Sequence, residues 1–575
     1  MTAGSLRLLA LIAIAALLLP PLLLDGTYHI FLLIIIFVYS IAAVGLNILG
    51  GHAGQFSLGH AALMAMGAYT SSLASKALSG IPFFAGSGLH VWIGLLIGTI
   101  VGGVAGAVLA YPALRVRGPY LAMVTVAFGW VIWKILQEWV SVTGGDLGIG
   151  SIPKPQIGSW VLDTAQFYYI VLAFFVAALG LQHWLMSSPV GLKIRAVRHS
   201  ELGLASVGVN VYRLKVWVFI ISAAFAGCAG SLFAIQQSYI SPDNFQFFSS
   251  VFLLLAVLFG GPGTFLGPVV GIAVLTLLPE VLQDFDRYRL IIYGSFILVT
   301  LYFLPRGVMG PIESRMRPPV APRSGRIVPA LDQAGLTGAS IKLKGVSRSF
   351  GGLKALSDVD VSLAAGEIHA VIGPNGAGKT TLINVLTGFY QPNDGQVLID
   401  GKPTALSSLD ASARIGFART FQTIKLFGDM SVLEHVVIGL PFGIEHPTDE
   451  ADALIEFVGL APFRDRPANS LAYGHRRLLE IARALAMRPR LLLLDEPAAG
   501  LVQEEIVSLI DLIGAIRRSG VTILLIEHHM DLVMAVSDRI TVLNYGTVIA
   551  RGTPAEIQGN AQVVEAYLGP DHVYA

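Results

Sequence analysis

Apolar residues fill the first 305 positions in long blocks separated by short polar breaks. Ten blocks approach the roughly 20 residues a helix needs to cross a hydrocarbon core: residues 6–24, 29–50, 56–79, 90–112, 118–138, 166–186, 214–238, 247–261, 264–282 and 287–305. The eighth is short and ends in "FGGPGTFLGP", which fits a broken or re-entrant element as well as a full span. The first, "LRLLALIAIAALLLPPLLL", has one nearby cation, Arg7, and no small-x-small cleavage signature. It reads as a retained span rather than a signal peptide.

The pattern changes at Arg306. Residues 306–340 are rich in Pro, Gly, Ser and Arg and have no period, which predicts an extended linker. From Ile341 onward, short apolar runs such as "EIHAVIG", "RLLLLDEP" and "VTILLIEH" alternate with helical ones. Strands with no polar face predict a parallel sheet covered on both sides. The chain therefore reads as a polytopic α-helical transmembrane domain of about 10 helices over 1–305, a linker over 306–340 and an α/β domain over 341–575.

Composition supports the membrane half. The chain is 54% hydrophobic and 13% charged, against about 25% charged in an ordinary soluble protein. A net charge of +1 gives no nucleic-acid footprint. Cys228 is the one cysteine, which excludes an internal disulfide and a Cys-rich metal site; it reads as a small packing residue. Cations flank the spans at Arg115 and Arg117, at Lys193, Arg195, Arg198, Arg213 and Lys215, and at Arg306, Arg315 and Arg317. With ten spans and an inside N-terminus, all three clusters fall on the cytoplasmic side, and so does the α/β domain.

Candidate chemistry lies in that α/β domain. "GPNGAGKTT" comprises Gly373, Pro374, Asn375, Gly376, Ala377, Gly378, Lys379, Thr380 and Thr381. It follows a strand and opens a helix, the context in which backbone N–H groups and a helix N-terminus cradle phosphate. Lys379 reaches the β/γ-phosphates and Thr380 ligates Mg²⁺. "LLLLDEP" places Asp495 at the end of a buried strand, where it holds the metal, and Glu496 beside it to polarise water.

Four more pieces complete a pattern: Gln422 in "RTFQ", Leu471, Ala472, Tyr473, Gly474 and His475 in "LAYGH", His528 in "IEHHMDLV", and Phe350 in "SRSFGGLKAL". In this order they resemble the ATPase domain of ABC transporters. "GFARTFQTIKLFGDMSVLEHVVIG" and "DEPAAGL" are similar to the ATPase subunits of branched-chain amino acid importers. The resemblance implies ATP and Mg²⁺ as cofactors. It implies that Phe350 stacks on adenine, Gln422 senses Mg²⁺ and the membrane domain, Leu471–His475 form the signature turn, Glu496 is the general base and His528 contacts the γ-phosphate. Ala472 stands where a Ser is usual and His475 where a Gln or Asp is usual. Val502 stands where an Asp or Asn commonly crosses the dimer interface.

In the membrane half, "GLNILGGHAGQFSLGHAALMAMGAYTSS" sets Asn47, His52, Gln55, Ser57 and His60 between apolar runs. Spacing alone fits a tightly packed polar loop and a solute path equally. This stretch, "RGPYLAMVTVAFGWV", "TGGDLGI" and the segment from Ser188 resemble the permease subunits of the same importers. The basic loop 188–213, with helical Glu201, Leu202, Leu204, Ala205 and Val207, would then carry a coupling helix. Lys134 and Glu138 read as an interfacial pair.

The resemblance implies a fused permease–ATPase half of an importer in the bacterial inner membrane. It would work with a second permease and ATPase half, separate, fused or a second copy, and with an extracytoplasmic solute-binding protein. No nucleic-acid partner is expected. The alternatives are import of urea, short amides or aromatic carboxylates by the same machinery, an ABC exporter half, and a nucleotide-gated channel or sensor. Spans that stop near bilayer length argue against an exporter.

Overall fold

The computed structural model describes residues 18–23, 27–116, 119–158, 160–282, 288–316 and 337–568. Residues 6–17 and 24 of the expected first span, most of the linker, Arg117 and Arg317 lie outside them. The chain divides into two compact units, Met1–Arg198 with Tyr212–Pro318 and His199–Val211 with Pro319–Ala575.

In the first unit, nine of the expected spans fall on helices: Thr27–Leu46, His60–Ser79, Leu89–Ala113, Pro119–Glu138, Thr164–Ser187, Val211–Gln237, Phe247–Gly260, Gly267–Val281 and Arg289–Phe303. Among the described residues, 6 helical segments are long and apolar enough to cross a membrane. Phe247–Gly260 has 14 residues and Gly267–Val281 has 15, so each rises about 21–23 Å, short of a hydrocarbon core of about 30 Å. Only with the preceding turn, as Pro242–Gly260, does the first reach span length. Elsewhere backbones meet closely: a Cβ on Gly67 would lie 2.2 Å from the Gly227 carbonyl oxygen. Such contact is what small residues permit between membrane helices.

Part of the expected linker is helical. Residues 309–316 form a helix, Met309–Met316, and Val308 N donates to Phe259 O at 2.9 Å. Glu313 Oε1 accepts from Phe265 N at 2.7 Å and Leu266 N at 3.0 Å. It thereby caps the free N–H groups that precede helix Gly267–Val281. A cap from about fifty residues away leaves no local periodicity to read.

The second unit carries β1 (Ile341–Phe350), β2 (Leu353–Leu363), β3 (Ile368–Ile372), β4 (Asp394–Ile399), β5 (Lys402–Pro403), β6 (Phe417–Arg419), β7 (Leu491–Asp495), β8 (Thr522–Ile526), β9 (Arg539–Asn544) and β10 (Thr547–Gly552). One sheet has the order β10-β9-β3-β8-β7-β6, parallel except for its β10 edge; a second, antiparallel sheet has the order β2-β1-β4-β5. Strand residues alternate between two cores. Leu492, Leu494, Ile523 and Leu525 face one, with helical Leu479, Leu509 and Ile513. Leu491, Leu493, Leu524 and Ile526 face the other, with Leu382, Ile383 and the antiparallel sheet. Both faces of the parallel sheet are therefore covered, as strands without a polar side require. Because β3, β6, β7 and β8 run parallel, the loops after them leave from one edge, where ligands of such sheets bind.

Candidate active site

The loop after β3 runs from Gly373 to Gly378 into helix Lys379–Leu386. Gly376 and Gly378 have φ of 82° and 102°, a left-handed backbone that only glycine adopts without strain. Lys379 is buried, and its Nζ donates to Gly373 O at 2.6 Å and Pro374 O at 3.0 Å. Burial lowers its pKa, while Glu496 and Asp495 pull it back up. Asn375 and Thr380 are exposed, Pro374 and Thr381 are half-buried and Ala377 is buried.

Asp495 ends β7 and is buried, with Arg419 NH2 3.5 Å from its Oδ2. Its N–H donates to Thr420 Oγ1 at 3.2 Å. Burial pushes its carboxyl up to about 6; Arg419 opposes this and Glu496 adds to it. Glu496 takes φ 47°, which for a non-glycine residue costs on the order of 1–3 kcal/mol and persists where the surroundings enforce it. Its N–H donates to Ile526 O on β8 at 2.9 Å. Its carboxylate accepts from Gln422 Nε2 at 2.9 Å. Lys379, Asp495, Glu496 and Gln422 thus sit together, brought from three loops at one sheet edge.

His528 follows β8 with an exposed ring, stacked near His529 at 4.7 Å between centroids. Glu527 between them and the strand is fully buried. Its Oε1 accepts from Ala498 N at 2.6 Å and its Oε2 from His528 N at 2.9 Å. It ties the loop bearing His528 to the loop bearing Glu496, a role sequence reading missed. Phe350, half-exposed at the end of β1, meets the Tyr390 ring edge-on at 4.9 Å, and the Arg348 guanidinium stacks at 4.8 Å. Neither partner carries a sequence signal.

Leu471–His475 stand apart from this group. Ala472 caps helix Tyr473–Ala486 without a side-chain hydrogen bond. A Cβ on Gly474 would lie 2.2 Å from Glu505 Oε1. The His475 ring packs on Phe463 at 4.5 Å, which gives the unusual histidine a packing partner. Val502 is 62% exposed at the start of helix Gln503–Arg518. Valine offers no acceptor there, and Glu505 Oε2 takes the Val502 N–H at 3.1 Å instead.

Residues 28–301 match the model of the branched-chain amino acid transport system permease component. Residues 356–499 match the ABC transporter model, and 547–572 the branched-chain amino acid ATP-binding cassette transporter model. The chain is 43% identical over 248 residues to the high-affinity branched-chain amino acid transport ATP-binding protein LivG of Escherichia coli K12. That match covers 40% of this chain and 97% of LivG. It is 33% identical over 296 residues to the permease protein LivM of the same organism, covering 47% of this chain and 68% of LivM. This chain belongs to the branched-chain amino acid ABC transporter family. It joins a permease component and a nucleotide-binding ATPase component in one membrane protein whose family works with partner transporter subunits. Among solved structures it resembles the ADP conformation of an ATP-binding cassette of an ABC transporter at 32% identity, with TM-score 0.38, covering 40% of this chain and 99% of that one.

The family relationship directs attention to His199–Val211, which packs within the ATPase unit of this transporter chain. Ser200 Oγ caps helix Glu201–Ala205 by accepting from Gly203 N at 3.0 Å. Asn210 Nδ2 donates to Asp410 Oδ2 at 3.3 Å, and Arg414 Nε to Gly208 O at 3.3 Å. Glu201–Ala205 is helical as expected, whereas Val207 lies in the turn that follows the helix.

In the permease unit Asn47, His52, Gln55, Ser57 and His60 are all buried, while Gly54 and Phe56 between them are exposed. Asn47 lies on a π-helix, Asn47–His52. Its Nδ2 donates to Thr264 O at 2.9 Å and its Oδ1 accepts from Gly263 N at 2.8 Å. His60 lies between Ser57 Oγ at 3.2 Å and Ser222 Oγ at 2.8 Å. These bonds join Asn47 to residues 263–264 and His60 to helix Val211–Gln237. Both amide atoms of Gln55 and Nε2 of His52 are buried without a hydrogen-bond partner. Lys134 Nζ and Glu138 Oε1 form an exposed pair at 2.7 Å.

Proposed function

We propose that this chain is the permease–ATPase half of an importer that drives uptake of branched-chain amino acids across the bacterial inner membrane. The observation that carries the reading is the joint placement of Lys379, Asp495, Glu496 and Gln422 at one sheet edge, in a chain that also holds the permease unit. Residues 1–305 form the pathway, 306–340 the connection and 341–575 the motor.

In this reading Phe350 stacks on adenine, and Gly373–Thr381 receive the phosphates. Thr380, Gln422 and Asp495 offer the hard oxygen donors a magnesium ion prefers and would hold Mg²⁺, which would supply positive charge against the phosphates. Glu496 accepts a proton from the attacking water as the oxygen bonds to the γ-phosphorus and ADP leaves. His528 donates to the γ-phosphate. Leu471–His475 face the phosphate loop of a partner half, so the machine is an obligate pair of halves, with a soluble solute-binding protein outside. Two states that bind solute differently then alternate with ATP binding and hydrolysis.

The test is uptake of labelled leucine, urea and benzoate into vesicles holding the assembled complex, with wild-type chain and with Glu496→Gln. Leucine uptake that requires Glu496 is expected, with hydrolysis falling about 10²–10⁴-fold in the variant. Uptake of urea or benzoate alone removes the amino acid reading. Unchanged uptake in Glu496→Gln removes the pump.

A further inference from the structure

Helix Tyr473–Ala486 reads as an ordinary amphipathic helix, yet Arg477, Glu480 and Arg483 on it are all buried. Their spacing of three places them along one face, and that face grips the strip Phe421–Lys425. Arg477 NH1 donates to Phe421 O at 2.7 Å and Arg477 NH2 to Gln422 O at 3.1 Å. Glu480 Oε2 accepts from Arg477 NH1 at 3.0 Å, and Glu480 Oε1 accepts from Lys425 N at 3.2 Å. Arg483 NH1 donates to Lys425 O at 2.5 Å. Buried charges of this kind stabilise no better than apolar packing of the same volume. What they add is a directional hold on the carbonyl and N–H groups of one short strip.

The two ends of that strip have different neighbours. At one end the Gln422 side chain bonds Glu496 at 2.9 Å. At the other, a Cβ on Gly203 would lie 2.6 Å from Lys425 O and 3.2 Å from Arg483 NH1. The hold also has slack. Arg483 NH2 is buried without a hydrogen-bond partner and stops 3.8 Å from Glu480 Oε1. A shift of Lys425 that let this pair close would carry the strip with it, because Glu480 bonds Lys425 directly and Gln422 through Arg477.

We propose that Glu480 is a positioning residue: it links the seat of Gly203 on Lys425 to the hydrogen bond between Gln422 and Glu496. The inference rests on the ATP-driven transport reading above. It predicts that charge at Glu480, more than its volume, sets the turnover rate.

The full chain, in the assembly it forms in lipid vesicles, provides the test. Glu480→Gln should lower kcat for ATP about tenfold with KM within about twofold, because the phosphate loop is untouched. Glu480→Asp keeps the charge and should return kcat to within about threefold of wild type. Gly203→Ala should leave hydrolysis without solute within about twofold, yet cut leucine taken up per ATP about fivefold. Wild-type kcat in Glu480→Gln, equal impairment in Glu480→Asp, or unchanged uptake per ATP in Gly203→Ala overturns the proposal. Should Glu480→Gln fail to fold, Glu480→Asp and Gly203→Ala decide. Hydrolysis without leucine uptake in the wild type overturns the solute reading alone, since the kcat comparison needs no solute.

Discussion

Gln422 Nε2 donates to Glu496 Oε2 across 2.9 Å, so the amide fixes the rotamer of the carboxylate that follows β7. Removing it frees that carboxylate without touching Lys379. Gln422→Ala should therefore lower the ATP turnover number about tenfold while KM for ATP moves less than about threefold. Steady-state hydrolysis by the full chain measures both. A large rise in KM with turnover unchanged would mean that Gln422 serves nucleotide binding instead.

Asp495 makes the nucleotide-free protein sensitive to pH. Burial holds its carboxyl at about 6, whereas an unfolded aspartate titrates near 4. A raised carboxyl favours the protonated fold. Its contribution to stability is complete below about pH 4 and is lost as pH rises through about 6; the difference amounts to about 3 kcal/mol. The melting temperature of the ATPase unit should then rise as pH is lowered from 7 to 5. Asp495→Asn should flatten that slope, and an equal slope in the variant would assign it to other groups. Saturating ATP with Mg²⁺ should flatten it too, by holding the carboxylate ionised.

Val502 begins helix Gln503–Arg518 with no side-chain acceptor. Asn at an N-cap is worth about 1 kcal/mol over an apolar residue, so Val502→Asn should raise the melting temperature slightly. If the two halves of the transporter are unequal at this position, the variant should also change hydrolysis by the assembled complex. A stability gain with unaltered hydrolysis would leave Val502 as a helix-end residue alone.

Asn47 satisfies both Thr264 O and Gly263 N. Asn47→Ala orphans a buried carbonyl and a part-buried N–H, at a cost of up to about 1–3 kcal/mol for each group left unpaired. The expected result is loss of leucine uptake with hydrolysis in detergent largely kept. Thermal unfolding of the permease unit checks the stability part. Full uptake would show that the bond between the two breaks is dispensable.

Local pattern made the phosphate loop, the acidic strand end and the two-sided sheet legible in sequence. A glycine-rich turn between strand and helix, or five apolar residues ending in Asp-Glu, carries its meaning within ten residues. The helical spans were legible for the same reason. What stayed hidden depends on partners far along the chain. Arg477, Glu480 and Arg483 look like a solvated face until Phe421, Gln422 and Lys425 arrive from more than fifty positions away. Glu527 looks like part of a polar strand end until Ala498 docks on it. Glu313 sits in a stretch with no period and caps residues near 265. The same limit left the polar residues near Asn47 undecided. Their bonds run to Ser222, Gly263 and Thr264, which no spacing rule connects to them.

The path of the chain at His199–Val211 has a further consequence. The backbone leaves the permease unit after Arg198, is held by the ATPase unit for those thirteen residues and returns at Tyr212. The backbone therefore crosses from one unit to the other three times. Scission between 317 and 336 would leave two polypeptides that still purify together.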